Sequence, residues 1–124
     1  MEKQGIVSIW LGNLNGERDL EEYVALKYNE DGDSIPSPFF RDFHINQYET
    51  DEAFFEVEWL GENSKDIAKL LEGVSYEEVI IPKVKKYSEL NKTYNSIILI
   101  YNFAYSGEVH SSGKFNFILC TNYN

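Results

Sequence analysis

The chain has one cysteine, Cys120, so no intramolecular disulfide can form; packing alone must hold the fold, and a reducing compartment is the expected setting. Long apolar runs are missing as well. Ile6 to Leu11 is shorter than the roughly 7–15 residues of a signal h-region, and Ile97 to Tyr101 is far below the roughly 20 that cross a bilayer. The expectation is a cytoplasmic protein with no membrane partner. Histidine is scarce: neither His44 nor His110 has a Cys, Asp or Glu at the three-or-four spacing of helical metal ligands. Gly12-Asn13-Leu14-Asn15-Gly16 lacks the lysine of a P-loop and the third glycine of a dinucleotide fingerprint, so it reads as a turn. No Gly-x-Ser-x-Gly elbow frames a serine, and Cys120 lies in an apolar strand as a packing residue. Positive charge is also in short supply. With 11 basic against 21 acidic residues the formal charge is -10, which disfavours nucleic acid and anionic lipid as partners.

What is present suits one compact domain across residues 1–124. Hydrophobic residues make up 43% of the chain and aromatic residues 15%, enough for a core that needs no disulfide or metal. Ile6 to Leu11 is apolar on both alternating faces, which predicts a central strand. Leu20, Tyr23, Val24 and Tyr28 share a stripe that predicts a helix over 17–28, with Asp and Glu in its first turn. Asn29 to Asp33 is a turn cluster, and Phe39, Phe40 and Phe43 follow Pro36 and Pro38 as a short helix.

Phe54 to Leu60 alternates, with Phe55, Val57 and Trp59 inward and Glu56 and Glu58 facing water. Ser64 is placed to cap a helix carrying Ile67, Leu70, Leu71 and Val74, which Gly73 would close in a left-handed conformation. Ser75 and Glu78 have capping-box spacing for the next helix, with Val74 and Val79 as its hydrophobic staple, and Pro82 should break or restart it. Ile97 to Phe103 and Lys114 to Thr121 predict two strands pairing as a hairpin. The order argues for an α+β fold: a small, mainly antiparallel sheet of about four strands with helices packed against it.

The charge is uneven. Residues 17–78 hold 18 acids and 5 bases, whereas residues 79–124 hold 2 acids and 5 bases, three of them clustered as Lys83, Lys85 and Lys86. That basic cluster suits the polar face and C-terminal end of a helix. The loop Asn29 to Asp33 invites a calcium reading and fails it: with Gly32 at the sixth position of an EF-hand loop, Lys27 falls at the first and Pro38 at the twelfth, where carboxylates are required. Neighbouring carboxylates such as Glu21-Glu22, Asp51-Glu52 and Glu77-Glu78 read as solvated surface. No catalytic residue, metal or cofactor is expected.

Three stretches together resemble the immunity protein 22 family of bacterial polymorphic toxin systems: Val7-Ser8-Ile9-Trp10-Leu11-Gly12-Asn13, the run from Tyr28-Asn29-Glu30-Asp31-Gly32-Asp33 through Phe39, and Ile98-Leu99-Ile100-Tyr101-Asn102-Phe103-Ala104-Tyr105-Ser106-Gly107. The resemblance spans nearly the whole chain in order. It implies an α+β antidote, encoded beside a toxin that is often a nuclease, which it binds and silences inside the producing cell.

Charge and aromatic content suggest how such a protein would act. An acidic surface built around Glu30, Asp31, Asp33, Asp51, Glu52, Glu56 and Glu58 would meet a basic cleft on the toxin, with Tyr48 and Tyr105 as exposed anchors. Trp10, on a strand apolar on both sides, is expected in the core. Two other classes fit the residues. One is an adaptor or scaffold module with an ordinary cellular partner; the other is a small enzyme using carboxylates or a His44-centred site. No residue pattern decides the oligomeric state.

Overall fold

The computed structural model describes residues 2–87 and 90–124. Its first strand, β1 (Glu2–Gly12), is the middle member of a five-stranded antiparallel sheet. In chain order there follow α1 (Glu17–Val24), the two-residue strands β2 (Lys27–Tyr28) and β3 (Ser34–Ile35), α2 (Pro38–Asp42) and two 3-10 turns at Gln47–Glu49 and Glu52–Phe54. The chain continues through β4 (Phe55–Ser64), α3 (Ile67–Leu70), α4 (Glu77–Tyr87), β5 (Tyr94–Phe103), β6 (Ser111–Ser112) and β7 (Phe115–Asn122). The sheet order is β4-β5-β1-β7-β6, and β2 and β3 form a separate ribbon.

The two apolar faces of β1 explain the layering. Val7, Ile9 and Leu11 pack with Ile97 and Leu99 of β5 beneath Ile67, Leu70, Ile80 and Val84, so α3 and α4 cover one face. Trp10 faces the other way, with Ile98 and Ile100, beneath Leu20, Phe39 and Phe40, so α1 and α2 cover the second face. A central strand buried on both sides carries no alternating polar pattern, as Ile6 to Leu11 predicts. Trp10 is fully buried as expected, its ring 4.9 Å from Phe39 and 5.3 Å from Phe117. The one polar residue in its inner stretch, Ser8, is satisfied: its hydroxyl donates to the Phe103 carbonyl at 2.7 Å and accepts from the Tyr105 N–H at 3.0 Å. Cys120 lies half-buried beside it, Sγ 3.1 Å from Ser8 Oγ. At the end of β1 a side chain would not fit, because a Cβ on Gly12 would sit 2.5 Å from the Phe115 ring.

Several local expectations needed correction. β5 and β7 do not pair as a hairpin; both lie antiparallel against β1, on opposite sides of it. Two strands antiparallel to a common neighbour run parallel to each other, so residues 104–114 must cross over rather than turn back. The first helix stops at Val24, because Lys27 and Tyr28 are extended and pair with Ile35 and Ser34. The short helix at Pro38 forms as expected, with Ser37 Oγ accepting from the Phe40 N–H.

The helix expected after Ser64 is a single turn capped by Asp66, whose carboxylate accepts from the Ala68 N–H, while Ser64 instead accepts from Asp66. Gly73 does adopt the left-handed conformation, at φ 91°. The Ser75–Glu78 capping box does not form: Glu77 accepts from the Gly73 N–H and Glu56 from the Ser75 N–H. Pro82 does not break α4, which runs through it. The hydrogen bond that proline removes is the one to Glu78, and both residues are exposed, so water can replace it.

Candidate functional site

The β2–β3 ribbon presents the first acidic cluster. Asn29 Oδ1 accepts from the backbone N–H groups of Asp31 and Asp33, both at 2.9 Å, and Gly32 turns the chain at φ 83°. These bonds use backbone donors and the asparagine side chain, which leaves Glu30, Asp31 and Asp33 exposed at the tip. No cation is needed to explain this loop.

The ribbon is tied to the segment before β4. Ser34, opposite Tyr28 in the ribbon, accepts from Gln47 Nε2 at 2.6 Å and lies 3.5 Å from the Tyr48 hydroxyl. Directly paired residues project to the same face of a ribbon, so Tyr28 lies on the face where the Tyr48 hydroxyl approaches Ser34. Tyr28 is 65% exposed and Tyr48 83%. From Tyr48 the chain passes through two 3-10 turns capped by Asn46 and Asp51, each accepting from a backbone N–H two residues on. Asp51 and Glu52 are exposed, and Phe54, beyond them, stays 42% exposed. Glu30, Asp31, Asp33, Tyr48, Asp51 and Glu52 are thus all exposed, on the ribbon and on the segment that Gln47 and Tyr48 tie to it at Ser34.

Two expected site residues are less exposed than expected. Tyr105 is not an exposed anchor but 8% exposed. Its hydroxyl lies 2.9 Å from the Phe43 carbonyl and 3.0 Å from that of Val109, and it accepts from the Val109 N–H at 2.9 Å. With its ring 5.3 Å from Trp10 and 4.8 Å from Phe117, it pins the β5-to-β7 crossover to the sheet. Glu56 is not a wet surface acid either. Half-buried, it accepts from the Tyr101 hydroxyl at 2.6 Å and the Ser75 N–H at 2.9 Å, joining β4 to β5 and to the start of α4. Glu58 is exposed as expected.

Sequence reasoning missed three exposed aromatics. The helical stripe predicted over 17–28 takes in Tyr28, and neither Phe54 nor Tyr76 stands out in the sequence as an exposed ring. Tyr76 is 50% exposed and sits at φ 63°, a left-handed conformation costly for a bulky residue. A ring held there by the surrounding bonds marks a position where the fold tolerates strain.

Burial pushes the hydroxyls of Tyr23, Tyr101 and Tyr105 above the ordinary tyrosine value, and the carboxylates of Asp42 and Glu56 add to the effect at Tyr23 and Tyr101. These groups are neutral donors at physiological pH. At the opposite end of the strands a broad, open cleft of about 510 Å³ is lined by Asn13, Asn15, Asn63, Asn95, Lys92 and Lys114. Among the described residues no group of three or more His, Cys, Asp or Glu side chains is placed to hold a metal. Nor is any helix among them long and apolar enough to cross a membrane.

The sequence model of a family described as Immunity protein 22 matches residues 7–120, from the core of β1 to β7. The chain belongs to that family. No curated protein and no solved structure matches it. The matched region of this immunity-family chain contains the ribbon, both 3-10 turns and the buried Tyr105 crossover alike.

Proposed function

We propose that this protein is the cytoplasmic antidote of a toxin encoded beside it, and that it neutralises the toxin by laying its acidic, aromatic-bearing face over a basic, substrate-binding surface such as a nuclease cleft. Membership of an immunity family supports the role. The observation that carries the surface is the exposure of two rings, Tyr28 paired opposite Ser34 in the ribbon and Tyr48 with its hydroxyl 3.5 Å from Ser34 Oγ, with Glu30, Asp31, Asp33, Asp51 and Glu52 on the segments around them.

The two components do different work. Silencing a lethal enzyme calls for nanomolar binding or better, about -12 kcal/mol. Acidic residues near a basic partner mainly accelerate encounter, whereas buried aromatic anchors supply most of the affinity, typically more than about 2 kcal/mol at each hot spot. A nuclease that binds phosphate through Lys and Arg is the partner whose charge this surface complements.

Co-expression tests the reading. Cells carrying the neighbouring toxin gene should survive when this chain is present, and the two proteins should co-purify. Failure on both counts refutes it.

A further inference from the structure

Beyond the acidic ribbon, the segment from Tyr48 leads through Phe54 to a cleft of about 160 Å³ lined by Phe54, Glu56, Ser75, Tyr76, Tyr101 and Tyr123 among others. We infer that this cleft is a socket for one arginine side chain of the toxin; the source of the arginine rests on the toxin-binding reading above. Three tyrosine rings converge there. Tyr76 stacks on Tyr123 at 4.8 Å and 25°, Tyr123 meets Tyr101 at 5.2 Å, and Tyr76 and Tyr101 are 6.1 Å apart.

The rings are held in place. Asn102, itself at φ 59°, accepts from the Tyr123 hydroxyl at 2.6 Å and from the Gly5 N–H at 3.0 Å. Tyr101 donates to Glu56 Oε1 at 2.6 Å, and the Ser75 carbonyl lies 2.9 Å from the same hydroxyl. Tyr76 keeps its ring at the mouth despite a left-handed backbone, where glycine or asparagine would be less strained.

Electrostatics select the occupant. Glu56 is the one charged side chain lining the cleft, and among the described residues no base forms an ion pair with it. Its Oε2 accepts only the longer, 3.2 Å bond from Ser75, so it retains acceptor capacity. Aromatic faces beside a half-buried carboxylate attract a cation, and the flat guanidinium is the cation that both stacks on rings and pairs with a carboxylate. At about 160 Å³ the cleft is smaller than the roughly 300–1,000 Å³ typical of sites for whole small molecules, which suits a single side chain.

The probe is L-arginine amide, titrated while the ring resonances of Tyr76 and Tyr123 are followed by NMR. The expected result is saturable shifts, weaker with lysine amide, and an affinity reduced roughly tenfold in both Glu56→Gln and Tyr76→Gly. Glu56→Gln keeps an acceptor for Tyr101 and Ser75, and Tyr76→Gly relieves the backbone, so both variants should fold. Absence of saturable shifts, or binding by both variants as tight as by the wild type, overturns the socket. Tighter binding of tetramethylammonium than of arginine amide overturns the arginine assignment in favour of a small quaternary ammonium ligand. If arginine amide binds but the toxin binds the wild type and both variants equally, the toxin arginine is not the occupant. If arginine amide binds the wild type but the toxin, tested without it, does not, the toxin-binding reading is refuted and the socket stands.

Discussion

Replacing Tyr105 by Phe removes one oxygen and keeps the ring among Trp10, Phe43 and Phe117, so it isolates the bonds that hold the crossover. That oxygen serves the Phe43 carbonyl and both backbone groups of Val109. A backbone group left buried without a partner costs about 1–3 kcal/mol. Phe43 is fully buried, while half-buried Val109 gives water some access, so the net loss should be about 2–3 kcal/mol. For a chain of this length, about 3–5 °C per kcal/mol gives a fall in Tm of roughly 10 °C. Thermal unfolding by circular dichroism measures it, and urea titration should show a lower midpoint with an unchanged slope. Below its Tm the variant should bind the toxin as the wild type does. A Tm within about 2 °C of wild type, together with toxin affinity reduced tenfold or more, would refute this reasoning and return Tyr105 to the interface.

Other outcomes separate the parts of the surface. Tyr28→Ala and Tyr48→Ala should each raise the toxin Kd by roughly 30-fold or more while moving Tm by no more than about 2 °C, since both rings are exposed. Neutralising Glu30, Asp31 and Asp33 together as amides should slow association roughly tenfold at low salt and flatten its salt dependence, with dissociation little changed, as surface plasmon resonance would show. Alkaline unfolding tests the buried tyrosines. Tyr23 and Tyr101 are raised in the folded state above an unfolded value near 10, so the unfolded chain loses these protons first and stability should decline as pH rises past about 10. Tyr23→Phe and Tyr101→Phe should each make the plot of Tm against pH shallower in that range.

The features legible in the sequence were those with local causes. β1 announced its central place because Ile9 and Trp10 lie on opposite faces and both are apolar, and the short α2 announced itself through the prolines ahead of Phe39, Phe40 and Phe43, Pro38 taking the first helical position. Strand order was not legible. β5 and β7 are both suited to burial, and nothing in their own alternation says that β1 separates them. Tyr28 fell on the period of the preceding helix because a two-residue strand has no period of its own.

The candidate site divides in the same way. Glu56 and Glu58 look equivalent in an alternating strand, and only contacts with Ser75 and Tyr101, far along the chain, distinguish the bound acid from the free one. Tyr105 next to Ser106-Gly107 reads as a loop aromatic, and its burial depends on a crossover that the local sequence does not encode. Glu30, Asp31 and Asp33 were recognisable because a turn rich in Asn, Asp and Gly places its acids outward wherever it is docked.

The central claim concerns which face meets the toxin. Hydrogen exchange of the free chain and of its complex with the neighbouring toxin measures that directly. The account predicts added protection at residues 27–35 and 46–56, with residues 92–95 and 114 unchanged. Protection concentrated at Lys92, Asn95 and Lys114, with the ribbon and Tyr48 exchanging as in the free protein, would contradict it.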